Sequence, residues 1–165
     1  MLLDQQMPME RAFLGPWRLA ERLGSQDRLS VSQIASYDPD SFVRLVSQAP
    51  AIHRFPGAMA ARIQALAAYI VVEYAGDTEA MWRNVPNGQA LVDRLKDLPG
   101  YGDQKARILT ALLGKQYGVQ PKGWRDACSP YGDRGATRSV ADVVDLGTLK
   151  EVRTFKQEAK LARTP

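Results

Sequence analysis

The stretch from residue 95 to residue 106 reads Leu95-Lys96-Asp97-Leu98-Pro99-Gly100-Tyr101-Gly102-Asp103-Gln104-Lys105-Ala106. Helical spacing of apolar residues surrounds this stretch, with Asn87 as a cap for the helix before it and a second helix predicted from Asp103 to Tyr117. Glycine accepts positive φ and lets another backbone approach closely, so Gly100 and Gly102 can form a tight turn. The stretch therefore predicts a helical hairpin over residues 88–117.

Helical periodicity also extends along most of the remaining chain, and no run alternates apolar and polar residues as a strand would. We therefore predict an all-α fold. The clearest helix covers residues 58–75, where Ala61, Leu66, Ala68 or Tyr69, and Val72 recur at three- and four-residue steps and Gly76 is the stop. A final amphipathic helix is predicted for residues 148–161.

Other helix ends follow from capping signals. Asp38 followed by Pro39 predicts a helix over residues 40–47. Near the N-terminus, Pro8 can open a helix, and Gly15-Pro16 is predicted to interrupt it before a second piece over residues 17–23.

The size and composition are those of a globular protein. The chain has 165 residues, of which 45% are hydrophobic and 24% charged. Since domains typically span about 100 to 200 residues, we expect one domain over residues 1–165. A monomer is expected.

Basic residues are concentrated in the C-terminal part of the chain. Residues 1–99 carry 10 basic and 11 acidic side chains, a net of −1, whereas residues 100–165 carry 12 and 7, a net of +5. Binding to a polyanion would therefore involve the C-terminal part, including a basic extension over residues 134–165. A solvated basic face without a partner is the alternative.

Cysteine and apolar-run patterns exclude several protein classes. Cys128 is the only cysteine, which excludes an internal disulfide and a four-cysteine zinc or iron–sulfur site. The sole histidine, His53, has no metal ligands at suitable spacing, and we expect neither a metal nor a cofactor. The longest apolar run, residues 65–72, is far shorter than the roughly 20 residues that span a bilayer. We expect a cytoplasmic protein, associated with the nucleoid if it is bacterial.

The turn between the two central helices has the composition of a phosphate-binding site. Gly100 and Gly102 can direct amide hydrogens outward at the start of the next helix, and such amides bind anions. Lys105 and Arg107 would add positive charge beside these amides, and Tyr101 would hold the hairpin on the core. This pattern is typical of a helix-hairpin-helix motif, which binds a DNA backbone without reading its sequence.

Over most of residues 1–126, the chain resembles the HhH-GPD superfamily of base-excision DNA glycosylases, the endonuclease III and adenine glycosylase group. Four stretches carry the resemblance, in the family's order and spacing: LLDQQ (2–6), AARIQAL (60–66), YAGD (74–77) and LPGYG (98–102). The resemblance implies a helical fold, binding to duplex DNA that contains a damaged or mismatched base, and extrusion of that base from the stack. It also implies that Gln5 and Gln6 enter the duplex and fill the resulting space, and a polar helix end is the alternative for these two residues.

The family's Gly/Pro-rich loop and catalytic aspartate would correspond here to residues 118–126, which makes Asp126 the catalytic candidate. Breaking an N-glycosidic bond builds positive charge on the sugar, which a carboxylate stabilises while it orients or deprotonates water. The interval from Gly102 to Asp126 is a few residues longer than in the family, and the sequence around Asp126 differs. Asp133 and Asp142 are therefore rival candidates, and a capping or surface role for Asp126 is the alternative.

Two further positions refine the expected activity. Gln104 stands where relatives with lyase activity keep a lysine, and Lys105 is turned by about 100° along the helix, so β-lyase activity is not expected. Trp124, in the loop before Asp126, is a candidate for stacking on DNA, whereas tryptophans are more often core residues. The sequence therefore predicts a monofunctional DNA glycosylase. A non-catalytic DNA-structure-binding protein and a helical protein-interaction domain are the alternatives.

Overall fold

The structure is a computed structural model that describes residues 1–25 and 28–162. Within these ranges the chain is helical and contains no strand, so the all-α prediction is confirmed at that level. The α-helices are α1 (Met9–Arg22), α2 (Val31–Ser36), α3 (Pro39–Ser47), α4 (Pro56–Tyr74), α5 (Gly88–Lys96), α6 (Asp103–Gln116), α7 (Trp124–Ala127) and α8 (Leu146–Leu161). Short 3₁₀ helices cover Thr78–Met81 and Val140–Asp142.

The chain divides into two compact units. Unit 1 comprises Met1–Met81 and Leu98–Gly100, and unit 2 comprises Trp82–Asp97 and the chain from Tyr101 onward. Helices α1 to α4 therefore belong to unit 1, and helices α5 to α8 belong to unit 2.

In unit 1, α4 packs against α2 and α3. The buried face of α4 contains Met59, Ala60, Ala67 and Ile70. Leu66 packs against the unit 1 core as predicted, but the two ends of the predicted stripe were wrong, because Ala61 is exposed and Val72 is 77% exposed. This helix is apolar around most of its circumference, so periodicity alone leaves its buried face undetermined.

Helix α1 continues through Pro16, so the predicted interruption at Gly15-Pro16 was wrong. A proline in a helix removes one backbone hydrogen bond, at a cost of about 3 kcal/mol. Burial of Ala12 and Leu19, on either side of Pro16, offsets this cost. At the end of α1, Arg22 donates hydrogen bonds to the carbonyl oxygens of Leu45 (2.8 Å) and Pro50 (2.9 Å) and so satisfies acceptors around the end of α3.

The capping signals located the starts of α3 and α5 correctly. The Asp38 side chain accepts a hydrogen bond from the Ser41 N–H, and the Asn87 side chain accepts one from the Ala90 N–H, both at 2.9 Å. Helix α8 begins two residues earlier than predicted, because a reciprocal capping box between Asp145 and Thr148 sets its start.

In unit 2, α5 and α6 pack together and α7 packs against both. Two glycines make room for Trp124: a Cβ at Gly88 would overlap the Trp124 backbone, and a Cβ at Gly114 would overlap the indole ring. Trp124 is buried in a core cluster with Cys128 and Ala141. No helix among residues 1–25 and 28–162 is both long and apolar enough to cross a membrane.

The thiol of Cys128 should be unreactive while the protein is folded. It is fully buried, and desolvation raises its pKa to about 11, so the thiolate is scarce at pH 8. We expect iodoacetamide to leave the native protein unmodified at pH 8 and to label it fully in denaturant, as measured by intact mass. Rapid labelling of the native protein would contradict this packing.

Candidate nucleic-acid interface

The two glycines of the hairpin have different backbone conformations. Gly100 lies at φ +80°, in the left-handed region that favours glycine. Gly102 is extended, at φ −100° and ψ −176°, and caps the N-terminus of α6 without a side-chain hydrogen bond. A Cβ added at Gly102 would meet no atom within 4 Å. The backbone conformation therefore favours glycine at position 100 but not at position 102.

Apolar contacts hold the residues around the turn. In unit 1, Leu98 is 3% exposed, and a Cβ at Gly100 would lie 3.2 Å from Leu2 Cδ1. In unit 2, Tyr101 is half-buried, and desolvation raises the pKa of its hydroxyl. The exposed main chain at Gly102 is thus flanked by anchored residues.

Charged side chains surround the first turn of α6. The ammonium nitrogen of Lys105 lies over the Tyr101 ring, 5.7 Å from its centroid. Asp103 forms ion pairs with Arg107 (2.8 Å) and Lys96 (3.6 Å). The expectation that Arg107 adds charge beside the amides therefore needs correction, because its guanidinium is paired with a carboxylate.

The start of α6 is also connected to the loop that follows α7. Gln104 Nε2 donates to the Tyr131 hydroxyl at 2.9 Å, and Arg107 Nη1 donates to the Ser129 carbonyl oxygen at 3.2 Å. Ser129 and Tyr131 follow Asp126 by three and five residues. These bonds place the loop after α7 beside α6, which begins at the hairpin. Sequence reasoning had missed Tyr131.

Asp126 lies in the single turn of α7, two residues after the buried Trp124. Its side chain is exposed, since a step of two residues along a helix turns the side chain by about 200°. Within the described ranges, its carboxylate makes no hydrogen bond or ion pair. A carboxylate in this position is accessible to water and to a ligand.

The two rival aspartates differ from each other. The side chain of Asp142 is 5% exposed, forms an ion pair with Lys115 and accepts hydrogen bonds from the Arg138 and Ser139 N–H groups at 2.9 and 3.0 Å. Its oxygens are thus committed to structural contacts. Both aspartates line an open groove of about 620 Å³, but only Asp133 is exposed, so it is the stronger rival.

Trp124 has a packing role instead of the suggested stacking role. It is 7% exposed, and the guanidinium carbon of Arg125 lies 4.3 Å from the ring centroid. A ring enclosed by Gly114 and Arg125 cannot stack on a nucleotide. In contrast, Trp17 is 60% exposed, although tryptophans were expected in the core.

The two candidate glutamines lie in unit 1 and differ in environment. Gln5 Oε1 accepts a hydrogen bond from Arg62 Nη1 at 2.6 Å, and the Gln5 carbonyl oxygen lies 2.8 Å from His53 Nε2. Gln6 is exposed and has a φ of +55°. His53 is only 3% exposed, and sequence reasoning had not linked it to the glutamines.

The predicted site residues are thus divided between the units: Gln5, Gln6 and Gly100 belong to unit 1, and the others belong to unit 2. The described residues contain no group of three or more histidine, cysteine or acidic side chains suited to a metal ion. No family model matches this chain, and neither a curated protein nor a solved structure is significantly similar to it.

Proposed function

We propose that this chain is a base-excision DNA repair protein of the HhH-GPD type that acts as a monofunctional DNA N-glycosylase. The observation that carries this proposal is the α5–turn–α6 hairpin, in which a left-handed Gly100 precedes an extended, open Gly102 at the start of α6. The order of the family-like sequence stretches supports the assignment.

The hairpin suits a phosphate of the DNA backbone. The first N–H groups of a helix have no partner within the helix, and the helix dipole favours an anion at this end. Without a side chain at Gly102, a phosphate can approach these groups closely, and Lys105 supplies positive charge nearby. Such contacts hold duplex DNA independently of its sequence.

The proposed chemistry is hydrolysis of the glycosidic bond of an extruded base. Asp126 stabilises the positive charge that develops on the sugar and orients or deprotonates the attacking water, whose oxygen forms the new bond to C1′ as the base departs. Gln104 has no amine to form a Schiff base, so strand cleavage by β-elimination is not part of the activity.

A second candidate function is binding to DNA structures without catalysis. The exposure of Asp126 favours this alternative, because active sites usually exclude water around the reacting groups. Both functions use the same hairpin, and glycosylase assays distinguish them.

Two glycine substitutions separate DNA binding from folding. Threonine ranks with glycine as a helix N-cap, and its Cβ at position 102 has open space. We expect Gly102→Thr to leave the free energy of unfolding within about 0.5 kcal/mol and to weaken duplex binding about tenfold, because the side chain separates phosphate from the amides. Chemical denaturation and fluorescence anisotropy measure these two quantities.

Gly100→Ala is the matched comparison. A side chain at φ +80° is expected to lower the free energy of unfolding by about 1 to 2 kcal/mol. Gly102→Thr protein that folds normally and binds duplex DNA as the unaltered protein does would reject the hairpin as a binding site.

A further inference from the structure

The hydrogen bonds of His53 define its tautomer. The Phe55 N–H donates to His53 Nδ1 at 3.1 Å, so this nitrogen carries no proton. In a neutral ring the proton is then on Nε2, which donates to the Gln5 carbonyl oxygen at 2.8 Å. The buried, neutral His53, which lies between α3 and α4, is thus hydrogen-bonded to the main chain at Gln5.

Arg62 holds the other end of the same residue. Its Nη1 donates to Gln5 Oε1 at 2.6 Å, from a position on α4. His53 therefore fixes the Gln5 main chain and Arg62 fixes the Gln5 side chain. The main-chain and the side-chain oxygen of Gln5 thus each have a hydrogen-bond partner.

Gln6 immediately follows this fixed residue. Its φ of +55° is uncommon for a residue other than glycine, and such conformations persist only where the surroundings determine them. The bonds to Gln5 are well placed to impose this conformation, and the Gln6 side chain is exposed.

We propose that His53 is a positioning residue. Together with Arg62 it holds Gln5 in place, so that the adjacent Gln6 side chain projects for insertion beside an extruded base. This inference rests on the proposed function. It adds to that function a buried histidine outside the hairpin and outside residues 118–126. It also assigns different roles to the two adjacent glutamines.

The first test needs no DNA. Nitrogen-15 NMR of the His53 ring should show a protonated Nε2 and an unprotonated Nδ1 at neutral pH. The nitrogen-15 order parameter of the Gln6 backbone N–H should be lower in His53→Phe, which keeps a ring without the donor, than in His53→Gln, whose amide can still donate. The opposite tautomer, or equal order parameters in the two variants, would overturn the proposal.

The second test measures preference for a duplex with an abasic-site mimic over an undamaged duplex. Loss of one hydrogen bond of about 1 kcal/mol corresponds to a fivefold change, so His53→Phe should lower the preference about fivefold and His53→Gln less than twofold. In a Gln6→Ala background, His53→Phe should cause no further loss. A purely structural role would instead give an additive loss, or an equal loss for both duplexes, and either result would overturn the proposal.

Arg62→Met provides a variant on an exposed residue, should His53→Phe fail to fold. This substitution removes the hydrogen bond to Gln5 Oε1 and should also lower the preference for the abasic-site mimic. An unchanged preference would overturn the proposal. If the unaltered protein binds no duplex, the proposed function fails, and the His53 ring nitrogens together with the Gln6 order parameters decide on their own whether His53 and Arg62 hold Gln5 in place.

Discussion

Replacement of Asp126 by asparagine is expected to lower the rate of base excision by at least about 10²-fold and to leave duplex binding within about twofold. Asparagine keeps the size of the side chain but lacks the negative charge that stabilises a developing sugar cation. Removing one such electrostatic contribution typically lowers the rate about 10² to 10³-fold. Single-turnover assays against a panel of damaged and mismatched duplexes measure the rate, and anisotropy measures binding.

Asp133→Asn is the matched control, because Asp133 is also an exposed aspartate of unit 2. We expect it to keep activity within a few-fold of the unaltered protein. Full activity in Asp126→Asn together with loss of activity in Asp133→Asn would instead assign the catalytic role to Asp133. Asp142 is unsuitable as a control, since its substitution breaks the ion pair with Lys115.

Lys105→Glu is expected to produce the largest loss of duplex binding among single charge changes. The substitution replaces a cation near the first turn of α6 with an anion that repels phosphate. We expect affinity to fall more than tenfold at low salt, and the slope of log affinity against log salt concentration to decrease by about 1. Anisotropy titrations at several salt concentrations measure both.

Lys150→Glu is the control for this change in net charge. Lys150 is an exposed residue of α8, away from the hairpin in sequence. It should lower affinity less than threefold. An equal effect of both substitutions would indicate that overall charge, and not the hairpin, governs binding.

Local signals predicted the ends of helices well. Asn87 and Asp38 cap helices as expected, and the glycine turn separates α5 from α6 at the predicted place. These features depend on hydrogen bonds and backbone angles within a few residues, which a sequence displays directly. The all-α class follows from the same local patterns.

Features that depend on tertiary contacts could not be predicted in the same way. The buried face of α4 and the continuity of α1 through Pro16 are decided by packing partners distant in sequence. The same holds for the candidate site: only the fold reveals that Trp124 fills a space left by Gly88 and Gly114. His53 was likewise visible as a lone histidine, whereas its bond to Gln5 spans 48 positions.

The most direct test of the central claim is a binding titration of the intact protein with a duplex containing an abasic-site mimic and with the same duplex undamaged, at two salt concentrations. The proposed glycosylase binds both duplexes in a salt-dependent manner and prefers the abasic mimic, because its binding energy includes the extruded state. Equal affinity for the two duplexes would contradict base extrusion, and absence of binding at either salt concentration would contradict the hairpin as a DNA-binding site.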